Sequence, residues 1–545
     1  VKKNIEKTGF NAIKESVLTN RITWFALLLI MIFTGLVRYR LLEVPMERDE
    51  GEYAYAGQLM LQGIPPYQEV YNMKLPGIYA IYAGIMAVFG QTHQGIHIGL
   101  LLANQATLLF VFLLARRLFN PLAAAASAAI FALLSVSGPV DGVFANAEHF
   151  VIVFAVGGLL MLWQAMSKDS QWRLFVAGIL LGIAFIIKQH GFAFSAAAGG
   201  YILLDAWIQK PVSWRKLILR LLSLTGGIAV VVAGLFLAMV WMGVFEKFWF
   251  WMVDYARTYV AQIPLSEAWN CFTNSFTPIV GCAVLLWILI GLGIICLATR
   301  ILCGRVRLFL LVYAILSLVA ICPGFYFRPH YFVLLLPCAA LLGGAAIYAI
   351  SQSRPRIAWL SKLVPTALII VCLGQTVYLQ RQFLFLMTPA EACRFRYGPN
   401  PFPESLEIAS FIQSNTVPGD TIAILGSEPQ ICFYAQRRSA SGHIYMYPLM
   451  ENHPFALQMQ KEFIRETEAK NPKYMIFVDI PASWLVQHNS HMFLFEWFDR
   501  YQKNFQMMGV VAIYENQTVF HWAPNIPASI DSPFVVVLFE RIKGR

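Results

Sequence analysis

The sequence predicts a polytopic α-helical membrane protein with a small α/β domain at its C-terminal end, and three observations lead there. Of 545 residues, 58% are hydrophobic and 13% charged, about half the charged share of a soluble globular chain, which is typically near 25%. The apolar residues gather into runs of the length a bilayer requires. After residue 387 the composition becomes mixed and polar, with Pro399, Pro401 and Pro403 marking a linker.

The stretch 1–21 carries Lys2, Lys3, Lys7 and Lys14 ahead of an apolar run without a small-residue cleavage site, so a removed signal peptide is not expected. Candidate spans lie at 22–37, 96–115, 121–137, 149–166, 174–187, 191–208, 217–243, 278–299, 307–322, 331–350 and 363–386. At about 20 apolar residues per crossing, this makes about eleven transmembrane helices. Segment 76–89 is expected to be an interfacial helix, for a reason that comes from charge. With the N-terminus cytoplasmic, Arg116 and Arg117, Lys168 and Arg173, Lys210, Arg215, Lys216 and Arg220, then Arg300, Arg305 and Arg307, and finally Arg354, Arg356 and Lys362 all fall in cytoplasmic turns. A crossing at 76–89 would move every one of these clusters outside. Arg38 and Arg40 do not fit the pattern and are expected to snorkel to headgroups or to face an anionic ligand.

The expected organisation is a transmembrane domain, 1–386, with a first outer loop at 38–95, and an extracytoplasmic α/β domain, 387–545. In the latter, helices at 404–414 and 454–470 and strands at 421–425 and 474–479 precede a closing hairpin, 508–514 with 518–522.

The net charge of +11 is read as a topology signal. No long basic stripe interleaved with aromatics occurs, so no nucleic-acid partner is expected. Most of the nine cysteines fall in apolar spans, where they act as small hydrophobes; the pairing of Cys393 with Cys432 is left open. There is no Cys-x-x-Cys pair, and the histidines are read as scattered, so a divalent metal has no support from the sequence. The lack of a Walker loop or a Gly-x-Gly-x-x-Gly disfavours ATP-driven transport.

On this topology the outer loops collect a distinctive set: Asp49, Glu50, Glu52 and Lys74; Asp141 and Glu148; Lys188 and His190; Asp254 and Arg257; Arg328 and His330. Asp49 either caps the helix-like segment beginning at Glu50 or acts as a general base toward an attacking hydroxyl or amine. Lys74 is a snorkelling anchor or, with Arg257, Arg328 and His330, part of a phosphate site, because a leaving phosphate needs cations. Glu148, at the start of a span, either makes a dipole contact worth about 0.3–1 kcal/mol or binds a sugar and orients an acceptor. Asp141 competes for that role.

The pattern Arg48-Asp49-Glu50-Gly51-Glu52-Tyr53-Ala54 followed by Asn72-Met73-Lys74-Leu75-Pro76-Gly77-Ile78-Tyr79 resembles the first outer loop of the glycosyltransferase C (GT-C) superfamily. The nearest branch is the bacterial dolichyl-phosphate-mannose-protein mannosyltransferase-like group, related to the aminoarabinose transferase of lipid A modification. The similarity extends through Ala115-Arg116-Arg117-Leu118-Phe119, Asn146-Ala147-Glu148 and Arg328-Pro329-His330-Tyr331. The resemblance implies a multi-pass enzyme of the plasma (inner) membrane with the GT-C fold. Such an enzyme moves a sugar, with inversion, from a polyprenyl-phosphate donor to a protein, lipid or polysaccharide acceptor on the extracytoplasmic side. It implies Asp49 as base, with neighbouring Glu50 the alternative, and Glu148 as the second acidic position at the start of a span; Tyr53 and Asp141 are further candidates on the sugar or acceptor side from the residues themselves. Lys74 is implied at the carrier phosphate, helped by Arg328 and His330, with Arg257 a further candidate from the charge pattern. The competing class is a transporter or flippase for a lipid-linked solute. That class calls for paired broken helices and for ionisable groups near mid-membrane, whereas these charges lie at one surface.

Overall fold

The computed structural model describes residues 2–353, 359–515 and 517–542, with side chains from residue 20 onward. Arg354 and Arg356, assigned above to a cytoplasmic turn, lie outside the described residues. The chain packs into two compact units. A membrane unit holds the N-terminal stretch through Leu41, Leu100–Leu235 and Ile263–Met387; a second unit holds Leu42–Gly99, Phe236–Gln262 and Thr388–Arg545.

Among the described residues six helices are long and apolar enough to cross a bilayer: Asn20–Arg40, His93–Leu118, Ala147–Lys168, Gln189–Ile208, Trp214–Trp241 and Leu360–Leu379. Pro76–Phe89, Pro121–Ser135, Gln171–Ile187 and Leu336–Ser351 are shorter apolar helices. At 1.5 Å per residue the 14-residue Pro76–Phe89 helix reaches about 21 Å, less than the hydrocarbon thickness.

Two expected spans are built differently. The one at 278–299 is a pair of helices, Leu265–Gly281 and Val284–Ala298, bent by 108°, because Ala283 leaves the helical region (φ −152°, ψ 45°). The one at 331–350 opens as a 3-10 segment, Pro329–Leu334, and becomes α-helical only at Leu336, where Pro337 occupies the first turn. There a missing N–H costs no helical hydrogen bond.

Small residues set how closely the membrane helices approach. A Cβ at Gly344 on Leu336–Ser351 would lie 1.9 Å from the Ser127 hydroxyl oxygen on the alanine-rich Pro121–Ser135 helix. Arg38 is buried in this packing and Arg40 is half-buried. Arg38 donates to the carbonyls of Gly142 (2.7 Å) and Ser135 (2.8 Å); Arg40 donates to those of Leu384 (3.0 Å), Phe383 (2.6 Å) and Met387. Carbonyls at helix ends and turns lack intrahelical donors, so the two arginines at the end of the Asn20–Arg40 helix satisfy backbone, and buried Arg38 does not snorkel as expected.

The second unit is organised by a six-stranded mixed sheet. Strands β1 (Thr421–Leu425), β2 (Arg438–Ser439), β3 (Tyr474–Asp479), β4 (Phe505–Ile513), β5 (Thr518–Trp522) and β6 (Phe534–Arg541) are ordered β2-β1-β3-β6-β4-β5. β1 runs parallel to β2 and β3, with Ile422 opposite Tyr474. β6 enters antiparallel between β3 and β4, so the expected hairpin of β4 with β5 lies at the sheet edge. Its partner on the inner side, the apolar run Phe534-Val535-Val536-Val537-Leu538-Phe539, was not anticipated.

The helix Arg48–Leu61, from the first loop, is part of this same unit. Gly51 permits the approach: a Cβ there would lie 2.6 Å from the backbone nitrogen of Gln430 on Pro429–Ala435. The Tyr55 hydroxyl accepts from the Ser439 N–H (2.8 Å), and Arg48 binds Glu428 (2.6 Å), Tyr447 (2.6 Å) and Asn400 (3.0 Å). An early loop and a late sheet thus share one core.

Candidate active site

The N-terminus of the Arg48–Leu61 helix is closed by a capping box. Glu47 accepts from the Glu50 N–H (2.9 Å), and the Glu50 carboxylate accepts from the Glu47 N–H (3.1 Å). The cap is therefore Glu47, not Asp49. The second carboxylate oxygen of Glu50 lies 2.9 Å from His97 Nε2, and Glu50 is fully buried. Both of its oxygens are committed to structure.

One turn-position away, Asp49 points elsewhere. Its Oδ2 accepts from Lys74 Nζ at 3.2 Å, its Oδ1 from the Tyr445 hydroxyl at 2.7 Å, and the Asp49 and Lys74 side chains are each 18% exposed. Lys74 also reaches the Tyr53 hydroxyl (3.3 Å), with that ring beneath its ammonium at 5.4 Å. The Tyr53 ring is held edge-on by Tyr82 at 5.4 Å. Burial and then the Asp49 carboxylate hold the Tyr445 phenol well above its ordinary range, so it remains a donor at physiological pH.

The backbone carrying Lys74 is fixed from below. Tyr67, buried and at φ 64°, donates to the Lys74 carbonyl (2.6 Å). The Asn72 side chain accepts from the Met73 N–H (2.8 Å) and donates to Glu52 (2.8 Å). Glu52 also accepts from the Tyr79 hydroxyl and is wholly buried. Desolvation pushes its pKa up to about 7, against the pull of Lys74. The arrangement is layered: a half-open Asp49–Lys74 pair over a closed Glu52–Asn72–Tyr79 cluster.

The membrane unit holds the other expected residues. Asp141 sits in the left-handed region (φ 54°) after the Gly138–Val140 turn, with its Oδ2 3.9 Å from His330 Nδ1. Glu148, in the first turn of Ala147–Lys168, is fully buried and accepts from Lys188. The Lys188 ammonium lies 4.5 Å from the centre of the Tyr331 ring, against which His190 packs at 4.7 Å. Lys188, given no role by the sequence, is thus the direct partner of Glu148. Half-buried Arg328 lies over the Tyr326 ring at 5.5 Å. Arg257 belongs to the second unit, exposed on the short Ala256–Val260 helix.

His93 and His97 do stand four residues apart on one helix, a ligand-like spacing that the reading of scattered histidines passed over. His97 is engaged by Glu50 and by the Leu42 carbonyl (2.8 Å). Among the described residues no group of three or more His, Cys, Asp or Glu could hold a metal ion. Cys393 and Cys432 are both buried free thiols.

Residues 74–243 match the family described as Dolichyl-phosphate-mannose-protein mannosyltransferase. An undecaprenyl phosphate-alpha-4-amino-4-deoxy-L-arabinose arabinosyl transferase of Pseudomonas aeruginosa is 30% identical over 143 residues, 25% of this chain. Its counterpart in Pseudomonas paraeruginosa is 29% identical over the same length. The match spans about a quarter (26%) of these relatives' own length. In fold, the chain is similar to ArnT from Cupriavidus metallidurans bound to undecaprenyl phosphate, with TM-score 0.57, 15% identity, and coverage of 97% of this chain and 98% of that one. It is also similar to the oligosaccharyltransferase AglB from Archaeoglobus fulgidus in complex with an inhibitory peptide and a dolichol-phosphate, with TM-score 0.55, 13% identity, and coverage of 92% and 75%. The fold that the chain shares with these two structures is a polytopic helical body with a sheet-bearing C-terminal domain.

Proposed function

We propose that the protein is a glycosyltransferase that moves a sugar from a polyprenyl-phosphate carrier to an acceptor at the extracytoplasmic face of the plasma (inner) membrane. The observation that carries the reading is the Asp49–Lys74 pair, 3.2 Å apart and partly open to solvent. In this reading a base in the first turn of Arg48–Leu61 and a phosphate-binding cation just ahead of Pro76–Phe89 stand side by side.

In this mechanism the acceptor O–H or N–H gives its proton to the Asp49 carboxylate as its lone pair attacks C1 of the sugar. The bond from C1 to the phosphate oxygen breaks with inversion, and its electron pair leaves on the phosphate. Lys74 neutralises the charge that develops there. The resting ion pair gives the step an order. While Lys74 rests on Asp49 it occupies one carboxylate oxygen; when the carrier phosphate draws the ammonium away, that oxygen is open to the acceptor. The Tyr445 hydroxyl keeps one oxygen oriented, which leaves the other for the acceptor proton.

The test is purified protein in liposomes supplied with radiolabelled polyprenyl-phosphate sugars and a membrane-lipid extract as acceptor. Asp49→Asn should abolish transfer while leaving carrier binding in place, and Lys74→Ala should lose both binding and turnover. Undiminished transfer by Asp49→Asn would rule out the base. A lipid-linked-solute transporter would carry broken helices in each of two repeats; the described residues contain one bent pair.

A further inference from the structure

The second unit also contains a cavity of about 240 Å³ whose lining includes four aromatic rings, Tyr71, Phe250, Trp251 and Phe455. Its floor is the pair Tyr71 and Trp251, with rings nearly parallel (23°) and centres 6.4 Å apart. Phe250 stands perpendicular to Trp251 (84°, 5.5 Å), and Phe455 perpendicular to Phe250 (77°, 5.1 Å). Phe250 and Trp251 are presented by a π-helical turn, Phe250–Tyr255, a geometry that is rare and concentrated at functional sites.

Polar groups edge these rings. Lys247 places its ammonium 3.8 Å from the centre of Tyr71 and donates to the Tyr71 hydroxyl, which in turn donates to Glu466 (3.0 Å). Glu462 lies at the rim, held 3.0 Å from His443 Nε2, and exposed Gln458 completes it. A donor-only ammonium, two acceptor-only carboxylates (Glu246 and Glu462) and an amide that does both stand around the rings. Few ligand types match that pattern. A sugar ring does, because its C–H faces are apolar and its rim hydroxyls both donate and accept; pockets that orient ligands combine an aromatic lining with a few placed polar groups in this way. An organic cation matches less well, because the Tyr71 face is already covered by the chain's own ammonium.

We infer that this cavity is a carbohydrate-binding subsite that takes a neutral sugar ring. The inference rests on the transferase reading in one respect, that the ring belongs to the acceptor.

Saturation-transfer NMR on the full chain in nanodiscs, with maltotriose, chitotriose and cellotriose as probes and tetramethylammonium as the cation control, tests it. At least one trisaccharide should bind at millimolar concentration. Trp251→Ala should weaken that binding at least tenfold and Gln458→Ala severalfold. Since Trp251 is buried and its variant could misfold, the exposed Gln458 and the half-buried Phe455 (Phe455→Ala) provide independent readouts. Absence of binding by all three sugars, equal affinity in the Gln458 and Phe455 variants, or binding of tetramethylammonium alone would overturn the subsite. Asp49→Asn separates the two readings: it should abolish transfer and leave saccharide binding unchanged. Saccharide binding together with full turnover in Asp49→Asn would sink the base and spare the subsite.

Discussion

Two lysine–carboxylate pairs in this chain use the same chemistry in different surroundings. Asp49–Lys74, in the second unit, has both side chains 18% exposed. Glu148–Lys188, in the membrane unit, has side chains 0% and 8% exposed. A buried pair is held by the cost of leaving either charge alone, whereas a half-open pair can exchange a partner for water or substrate at little cost. The first is therefore suited to turnover and the second to holding a helix end and its neighbours in place. Solvent access distinguishes them.

The largest effect expected from this contrast is on catalysis. Asp49→Asn, nearly isosteric, removes the base and should reduce transfer by about 10²–10⁴-fold, with an unchanged unfolding midpoint. Lys74→Ala should match that loss in turnover yet cost only about 1 kcal/mol or less of stability, since the pair is part-exposed. A Lys74→Ala protein that unfolds many degrees early would show this pair to be structural and would erase the contrast.

The opposite profile is expected for the buried pair. Lys188→Ala leaves Glu148 uncompensated and should destabilise by about 3–5 kcal/mol, visible as a large drop in thermal midpoint in detergent. The double variant Lys188→Met with Glu148→Leu should recover much of that loss, because it removes both charges and keeps volume. If Lys188→Ala is as stable as the parent, burial is not what separates the two pairs.

The polytopic helical class was legible because hydropathy is a property of the chain itself, whereas the span count was not: six helices among the described residues are long and apolar enough to cross, against about eleven expected. The Asp49 and Lys74 positions were legible because a charged motif stands out against apolar sequence. Tyr445 was not: it lies 396 residues from Asp49 in sequence, in Gly442-His443-Ile444-Tyr445, where nothing marks it as a proton donor. The capping role of Glu47 could have been read from its spacing to Glu50, which follows the reciprocal pattern of a capping box, but the more acidic-looking Asp49 drew the assignment. Lys188 was undervalued for a related reason. A lone lysine in a short turn gains meaning only when Glu148, 40 residues earlier, is brought to it by the packing of two helices. The central strand Phe534–Arg541 carries an apolar run that suits a buried strand, yet its place between β3 and β4 depends on pairings that no local pattern encodes.

The smallest predicted effect concerns Glu52, beneath the open pair, and it shows whether the two layers communicate. Its carboxyl holds a proton up to about pH 7 in the folded chain, against an ordinary value of 4.5, through desolvation. Between those pH values the folded state binds a proton that the unfolded state has released, so stability falls as pH rises. At about 1.36 kcal/mol per tenfold change in acidity, the full loss is about 3 kcal/mol, reached above pH 7. Glu52→Gln stays neutral throughout and should flatten that fall between pH 5 and 8, as read from unfolding midpoints. Lys74 acts on the same carboxyl in the opposite direction, pulling its pKa down. Lys74→Ala should therefore move the fall to higher pH, and adding Glu52→Gln should remove that displacement. If the wild-type, Lys74→Ala and doubly substituted proteins trace parallel curves, the ammonium above does not reach the carboxyl below, and the open and closed layers are electrostatically independent.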